Sequence, residues 1–279
     1  MEIAQVGTQA IPALGIGAAL FILVPIVITV VWLIRKKERI TTVLVGAAVF
    51  ILFALLLEKI IQNILLFPTA MGLPETGLST FLSAHPILLS FLVGLFPGVF
   101  EETGRFVAFK TVLKKRTNRE TSISYGIGHG GTEVVIVLGI TYITYLMYAF
   151  MIKTGAIQTV IDQVSALAPD QLDTLKLQLD AIAAFRFADL GVAVLERIFA
   201  VLFHVGASIL VFYACKDGKK FWLYPLAVLL HTLLDFIAGL SIFGVISISS
   251  FTLELLVALL GTLTFCGGFF FLYRKDTTA

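Results

Sequence analysis

Seven apolar segments, each long enough to cross a lipid bilayer, divide the sequence. A transmembrane helix needs about 20 mainly apolar residues, and every segment supplies that length. The segments run approximately over residues 10–34, 41–66, 84–113, 121–152, 186–215, 221–241 and 250–273. The composition agrees, since 58% of the residues are hydrophobic and 14% are charged, with a mean hydropathy of +1.00. We therefore predict an all-α, polytopic transmembrane helix bundle of about seven spans, forming a single transmembrane domain over residues 1–279.

Basic residues are concentrated in every second connection between the segments. Lys and Arg follow the first, third, fifth and seventh segments, whereas the second and sixth connections have none and the fourth is mainly acidic. The positive-inside rule assigns the basic connections to the cytoplasm, which predicts an external N-terminus and a cytoplasmic C-terminus. The first segment lacks a preceding basic stretch, so we expect a retained signal anchor. We expect an integral multi-pass protein of a bacterial plasma membrane, and the net charge of +2 gives no indication of nucleic-acid binding.

The fourth connection, approximately residues 153–185, carries apolar residues at helical spacing between its acidic residues. This pattern is typical of amphipathic helices. We predict one or two such helices lying on the outer face of the membrane. The alternative is that they form a lid over the bundle.

Four of the central segments contain ionisable side chains, although each such group costs about 3 kcal/mol at the middle of a membrane. Glu101, Glu102 and Arg105 occur in FPGVFEETGRFVAF, and His129 and Glu133 occur in YGIGHGGTEVVI. The remaining groups are Glu196, Arg197 and His204 in VLERIFAVLFHVGAS, and His231 and Asp235 in LLHTLLDF. Such residues indicate a functional site with partners that neutralise one another.

The depth of these residues supports a common site. Counted from the nearest basic cluster, Glu102 is 12 residues from Lys114, and His204 is 12 residues from Lys216. At 1.5 Å per residue, the glutamates and histidines of four segments fall roughly 15–21 Å from the predicted cytoplasmic side. Independent structural polar residues would not coincide in this way. We therefore predict one layer of interacting groups, within a catalytic core of about residues 84–240.

The spacing along each helix gives further predictions. His129 and Glu133, His231 and Asp235, and Glu101 and Arg105 are each four residues apart, so each pair shares one helix face. Imidazole and carboxylate groups are zinc ligands, and a neighbouring carboxylate can orient a histidine or accept a proton from water. A metal centre and a metal-independent acid–base site both remain open at this point.

Several of these residues also have a purely structural interpretation. Arg105 either neutralises Glu101 or belongs to the active site, and Glu196 and Arg197 are favoured as supporting ion-pair residues between helices. Glu58 and Lys59, adjacent charges in the second segment, are interpreted as structural. Four glycines near His129 are expected to permit close helix packing: Gly126, Gly128, Gly130 and Gly131.

The motifs resemble those of the CPBP intramembrane proteases, a clan that includes the CAAX prenyl endopeptidases of the Rce type and the PrsW proteases. Within this clan the chain looks most like the YhfC family of intramembrane metalloproteases. The similar features are a Glu pair followed by Arg105, the His-x-x-x-Asp of His231, and the two histidine-bearing helices joined by a short basic turn. They cover about residues 90–240. Arg105 follows the Glu pair one residue sooner than in the prenyl endopeptidases, and Asp235 replaces their usual Asn.

The resemblance implies an intramembrane endopeptidase. Glu101 or Glu102, with His204, would activate a water molecule, and His231 with Asp235 would bind metal or stabilise the oxyanion. His129 and Glu133 would complete the metal shell or the acid–base relay. The ligands implied for a Zn²⁺ ion are His204, His231, Glu133 and Glu102, although a metal-independent glutamate mechanism is an alternative. Arg105, Glu196 and Arg197 would support the site.

The substrate class expected from this resemblance is a membrane protein or a lipidated peptide. Two other functions remain open. A transporter or channel could use the same buried groups to pass cations or protons, although the sequence has no internal repeat of the kind that many transporters show. A scaffold without catalytic activity could also retain the fold.

Overall fold

The computed structural model describes residues 3–276, which are helical over most of their length and contain no β-strand. Three π-helical segments, Phe50–Glu58, Val134–Gly139 and Phe269–Tyr273, join or extend α-helices. The α-helices of the described residues are α1 Ala10–Lys36, α2 Ile40–Val49, α3 Lys59–Leu66, α4 Gly77–Ser83, α5 Pro86–Lys110, α6 Glu120–Glu133, α7 Ile140–Thr154, α8 Gln158–Leu167, α9 Leu172–Ala183, α10 Phe187–Lys216, α11 Leu223–Ile242 and α12 Ser250–Gly268.

Seven helical stretches within residues 3–276 are long and apolar enough to cross a membrane. We number them as spans in chain order: Ala10–Lys36, Ile40–Leu66, Pro86–Lys110, Glu120–Thr154, Phe187–Lys216, Gly218–Ile242 and Ser250–Tyr273. The predicted all-α bundle of seven spans is confirmed. The third span is shorter than the predicted segment 84–113, because Pro86 begins the helix and the chain turns after Lys110. The orientation of the termini stays a prediction.

Internal contacts divide the chain into two compact units. The first unit comprises the chain up to Val27 together with Glu133–Val194, and the second comprises Ile28–Thr132 and the chain from Leu195 onward.

In the first unit, the predicted amphipathic connection forms α8 and α9. Ile157, Ile161 and Leu179 are buried there, packed against Tyr148 and Met151 near the end of α7. The connection is therefore helical with a buried apolar face, as the pattern predicted. Its position on the outer membrane surface stays a prediction.

In the second unit, glycines bring the fourth span into backbone contact with two other spans. A Cβ atom on Gly128 would lie 2.1 Å from the carbonyl oxygen of Val43, in the second span. A Cβ atom on Gly126 would lie 2.7 Å from the Cα atom of Val205, in the fifth span. The close packing predicted for these glycines is confirmed, and it inserts His129 between the second and fifth spans.

The third and sixth spans of the second unit also approach each other at glycines. A Cβ atom on Gly94 would lie 2.5 Å from the backbone nitrogen of Phe236, and one on Gly98 would lie 2.8 Å from the carbonyl oxygen of Val228. Small residues permit such backbone approach where lipid supplies no hydrophobic driving force. This packing brings the Glu pair of the third span next to His231.

Candidate functional site

Six ionisable side chains from four spans meet in the interior of the second unit. Each residue is at most 6% exposed, and each contacts at least one other member of the set. The six side chains are Glu101, Glu102, Arg105, His129, His204 and His231. We call this set the buried polar layer. Its burial and its contacts fit the interpretation that membrane-embedded charges are kept where they neutralise one another.

Glu101 faces the histidines of the fourth and fifth spans. Nε2 of His129 lies 2.8 Å from Oε2 of Glu101, at hydrogen-bond distance. Nδ1 of His204 lies 4.0 Å from the same oxygen, and the two imidazole rings are 4.9 Å apart between centroids. Within residues 3–276, one ligand atom from each of these three buried residues lies within 4.8 Å of the other two.

This group of Glu101, His129 and His204 is compatible with a metal ion. Two imidazoles and one carboxylate are a donor set that zinc accepts, with a fourth position left for water. Tetrahedral zinc ligands lie about 3.4 Å apart, so a modest adjustment of the side chains would accommodate an ion. Nδ1 of His129 is also buried and has no hydrogen-bond partner among the described residues, which leaves a donor or acceptor available.

Glu102 faces in a different direction and is held by two cationic or hydrogen-bonding groups. The Arg105 guanidinium donates to both of its carboxylate oxygens. Nδ1 of His231 lies 2.9 Å from Oε1 of the same carboxylate. The predicted intrahelical pair of Arg105 with Glu101 is therefore wrong, since Arg105 bonds to Glu102 three residues away. Adjacent helical residues point about 100° apart, so the two glutamates meet different neighbours.

Arg105 also links the two halves of the buried polar layer. Its Nη2 atom lies 3.3 Å from Nδ1 of His204. Because a guanidinium can only donate, this nitrogen of His204 accepts the bond, and a neutral His204 carries its hydrogen on Nε2.

His231 lies between two carboxylates. Besides Glu102, it contacts Asp235, whose Oδ2 is 3.4 Å from Nε2 of the ring. The Asp235 side chain is 31% exposed, unlike the members of the buried polar layer. Since both ring nitrogens face carboxylate oxygens, the favoured form of His231 carries a hydrogen on each nitrogen and is cationic.

The structure does not bring all of the predicted residues together. The three residues whose ligand atoms lie within 4.8 Å of one another are Glu101, His129 and His204. Of the four metal ligands implied by the resemblance, only His204 is among them. Glu102 and His231 contact each other instead, and Glu133 belongs to the first compact unit. Glu196 bonds to its neighbour Arg197, and Arg197 interacts electrostatically with Glu254 of the seventh span.

Glu58 is a neighbour of the site that sequence reasoning assigned to structure alone. It is 1% exposed, forms a 2.8 Å ion pair with Lys59, and interacts electrostatically with Glu101 and His231. The available signal was a carboxylate within an apolar span, whose default interpretation is functional.

Comparison with known protein families matches residues 20–265 to the YhfC intramembrane metalloprotease family. The chain belongs to this family. The predicted family is therefore confirmed, and its name describes a membrane-embedded metalloprotease. The chain is also 29% identical over 264 residues to "Uncharacterized membrane protein YhfC" of Bacillus subtilis (strain 168), covering 93% of this chain and 95% of that relative. No solved structure matches the chain.

Proposed function

We propose that this protein is an intramembrane endopeptidase that hydrolyses peptide bonds of membrane-associated substrates with a water molecule activated at Glu101. The observation that carries the proposal is the buried group of Glu101, His129 and His204 in a member of a family described as intramembrane metalloproteases. Peptide hydrolysis requires a water nucleophile, a base that accepts its proton and a group that stabilises the developing oxyanion. The buried polar layer contains candidates for each role.

Glu101 is the better of the two glutamates as a base. Both carboxylate oxygens of Glu102 accept from Arg105, and one of them also contacts His231, so its lone pairs are largely used. Glu101 has its only hydrogen bond among the described residues to the imidazole of His129. A carboxylate with an available lone pair next to an orienting histidine can accept a proton from water.

The metal that we propose is Zn²⁺, held by Glu101, His129 and His204. When bound, it would supply an activated water and polarise the scissile carbonyl. A neutral His204 has one ring nitrogen with a lone pair, so a bound ion would replace Arg105 at Nδ1, the nitrogen that lies 4.0 Å from Oε2 of Glu101. If zinc is not required, Glu101 would act directly as general base, with His129 fixing its orientation.

His231 is proposed to stabilise the oxyanion or donate a proton to the leaving amine. Its placement between Glu102 and Asp235 favours the cationic imidazole that both roles need. Glu102 would then be a positioning residue, since it holds His231 and Arg105 in place. The relay role of Glu133 stays a prediction.

The test uses full-length protein reconstituted in lipid nanodiscs. Two probes would be offered, a labelled single-span transmembrane peptide and a farnesylated C-terminal peptide, with products identified by mass spectrometry. Glu101→Gln is the site variant. Glu196→Gln is the matched control, because it removes one carboxylate from another span of the same unit.

We expect cleavage by the wild type and by Glu196→Gln, and loss of cleavage in Glu101→Gln. Cleavage that survives in both Glu101→Gln and His204→Ala would contradict the proposal. The transporter alternative predicts proton or cation flux into liposomes without peptide cleavage, and the family to which the chain belongs does not favour it.

A further inference from the structure

A basic cavity opens at one end of the second unit, away from the buried polar layer. Its volume is about 520 Å³, and it is lined by the connection between the first two spans and the connection between the third and fourth spans. Five basic side chains line it against one acidic residue: Lys37, Arg39, Lys114, Lys115, Arg116 and Glu38. We call this cavity the basic pocket.

The charges in the basic pocket are not neutralised by the protein. Lys37, Arg39, Lys114 and Lys115 are exposed, and none of them forms an ion pair with a described residue. The carboxylate of Glu38 accepts hydrogen bonds from Asn118 and from the hydroxyl groups of Thr42 and Ser124, and it forms no ion pair with the basic side chains of the pocket. A concave surface with several unpaired cations attracts an anionic ligand.

The positive-inside rule explains why basic residues occur at this face, but it does not explain why they are unpaired. The connection between the fifth and sixth spans provides the contrast. There, two of the three lysines are paired: Lys216 with Asp276 at 2.7 Å, and Lys220 with Asp217 at 3.5 Å. Topology alone therefore does not require unneutralised cations around a cavity.

Apolar side chains at the rim indicate which anion fits. Val112 lines the pocket and is 70% exposed, while Ile34 and Ile40, at the neighbouring helix ends, are 72% and 55% exposed. The pocket lies where four spans end. In a bilayer, the ends of transmembrane helices lie at about the depth of the lipid phosphate groups. A soluble phosphate would gain nothing from this apolar rim, whereas a phospholipid would place its acyl chains against it.

We propose that the basic pocket binds the headgroup of an anionic phospholipid. Lys37, Lys114 and Lys115 would contact the phosphate, since clusters of basic residues between transmembrane helices bind such headgroups. The bound lipid would connect the first–second and third–fourth connections, and so the spans that carry Glu101 and His129. The inference does not depend on the proposed proteolysis.

The test is thermal unfolding of the full-length protein in detergent micelles containing phosphatidylglycerol or, at equal molar fraction, phosphatidylcholine. Lys114→Gln/Lys115→Gln removes two charges from the pocket. The control, Lys219→Gln/Arg274→Gln, removes two exposed charges from the same predicted face outside the pocket. A ligand that binds only the folded state raises the unfolding midpoint. We expect phosphatidylglycerol to stabilise the wild type and the control, with an apparent affinity about 25-fold weaker in the pocket variant, at about fivefold per lysine.

Equal responses of the pocket and control variants would overturn the proposal. So would equal stabilisation by soluble glycerol 1-phosphate, which carries the same phosphate without acyl chains. If the pocket variant does not fold, a photoactivatable phosphatidylglycerol replaces it as the probe of the wild type. Crosslinks within residues 37–39 or 111–118 then support the pocket, and crosslinks confined to other regions overturn it.

Discussion

Two acid–base groups in the spans of the second unit differ in their surroundings. Glu102 and Arg105 are completely buried, and their ion pair is joined by His231 and His204 from two other spans. Glu196 and Arg197 are adjacent on one helix, with side chains 29% and 15% exposed. Both groups are unfavourable in a membrane, but the first is completely buried, whereas the second is partly exposed.

The difference shows what burial does to an ion pair. A partly exposed pair contributes little to stability, with a median below about 1 kcal/mol. In a fully buried pair, the loss of one partner leaves an uncompensated charge in a medium of low dielectric constant. The contacts of the buried network therefore fix the orientation of the functional groups.

The largest expected effect is on peptide cleavage. It distinguishes the buried polar layer, to which the first group belongs, from the pair of Glu196 and Arg197. In the nanodisc assay, Glu101→Gln should lower cleavage by about 10²- to 10⁴-fold, because the neutral amide can neither replace the carboxylate as a zinc ligand nor accept the proton of water. Glu196→Gln should leave cleavage within about twofold of the wild type, in the range of surface-type effects. Similar losses in both variants would remove the functional distinction between the groups.

The free energy of unfolding should also distinguish the two ion pairs. Arg105→Gln should destabilise the protein by about 3–5 kcal/mol, because it removes the guanidinium that bonds to both carboxylate oxygens of the buried Glu102. Arg197→Gln should cost less, because its partner Glu196 is 29% exposed and Glu102 is completely buried. Equilibrium unfolding in mixed micelles measures both, and the Arg105→Gln/Glu102→Gln double variant should recover part of the loss. A larger effect at Arg197 than at Arg105 would reverse the comparison.

Metal content should distinguish the two parts of the buried polar layer, the residues around Glu101 and the residues around Glu102. We expect the purified wild type to retain about one zinc ion per chain, and His129→Ala or His204→Ala to retain about a tenth of that or less. His231→Gln should keep most of the metal, because His231 contacts Glu102 rather than Glu101. Elemental analysis decides, and loss of zinc in the His231 variant would favour the ligand set implied by the resemblance.

The smallest effect is expected at an exposed pair in the first unit. The backbone N–H of Ala4 and then Lys176 lower the pKa of Asp180. A lowered folded-state pKa stabilises the contact above the unfolded pKa of about 3.9, and this stabilisation is lost as the pH falls through the folded value. Hydrogen exchange near residues 3–7 should therefore gain protection from Asp180 above about pH 4 and lose it in acid.

Asp180→Asn provides the control for that experiment. The variant should show the same low protection above and below about pH 4, after correction for intrinsic exchange rates. If wild type and variant respond identically, Asp180 does not hold the N-terminal segment.

Much of the fold could be predicted because lipid imposes simple rules on sequence. Apolar length predicted the seven spans, and the glycines around His129 predicted backbone contact between helices. Counting residues at an α-helical rise also predicted that Glu102, His129, His204 and His231 would occur in one layer, and these side chains do belong to one contact network. Glu58 was interpreted as structural, yet it is buried and interacts electrostatically with Glu101 and His231.

The sequence by itself determined that this protein is a seven-span helical bundle of the YhfC family with ionisable groups within its apolar spans. Only the tertiary structure decided how those groups pair. Spacing put Arg105 and Glu101 on one helix face, yet Arg105 bonds to Glu102, and Glu101 faces His129. The physical reason is that successive helical residues point about 100° apart, so the helix packed on each face selects the partner. Sequence spacing describes one helix, whereas a site between helices depends on all of them.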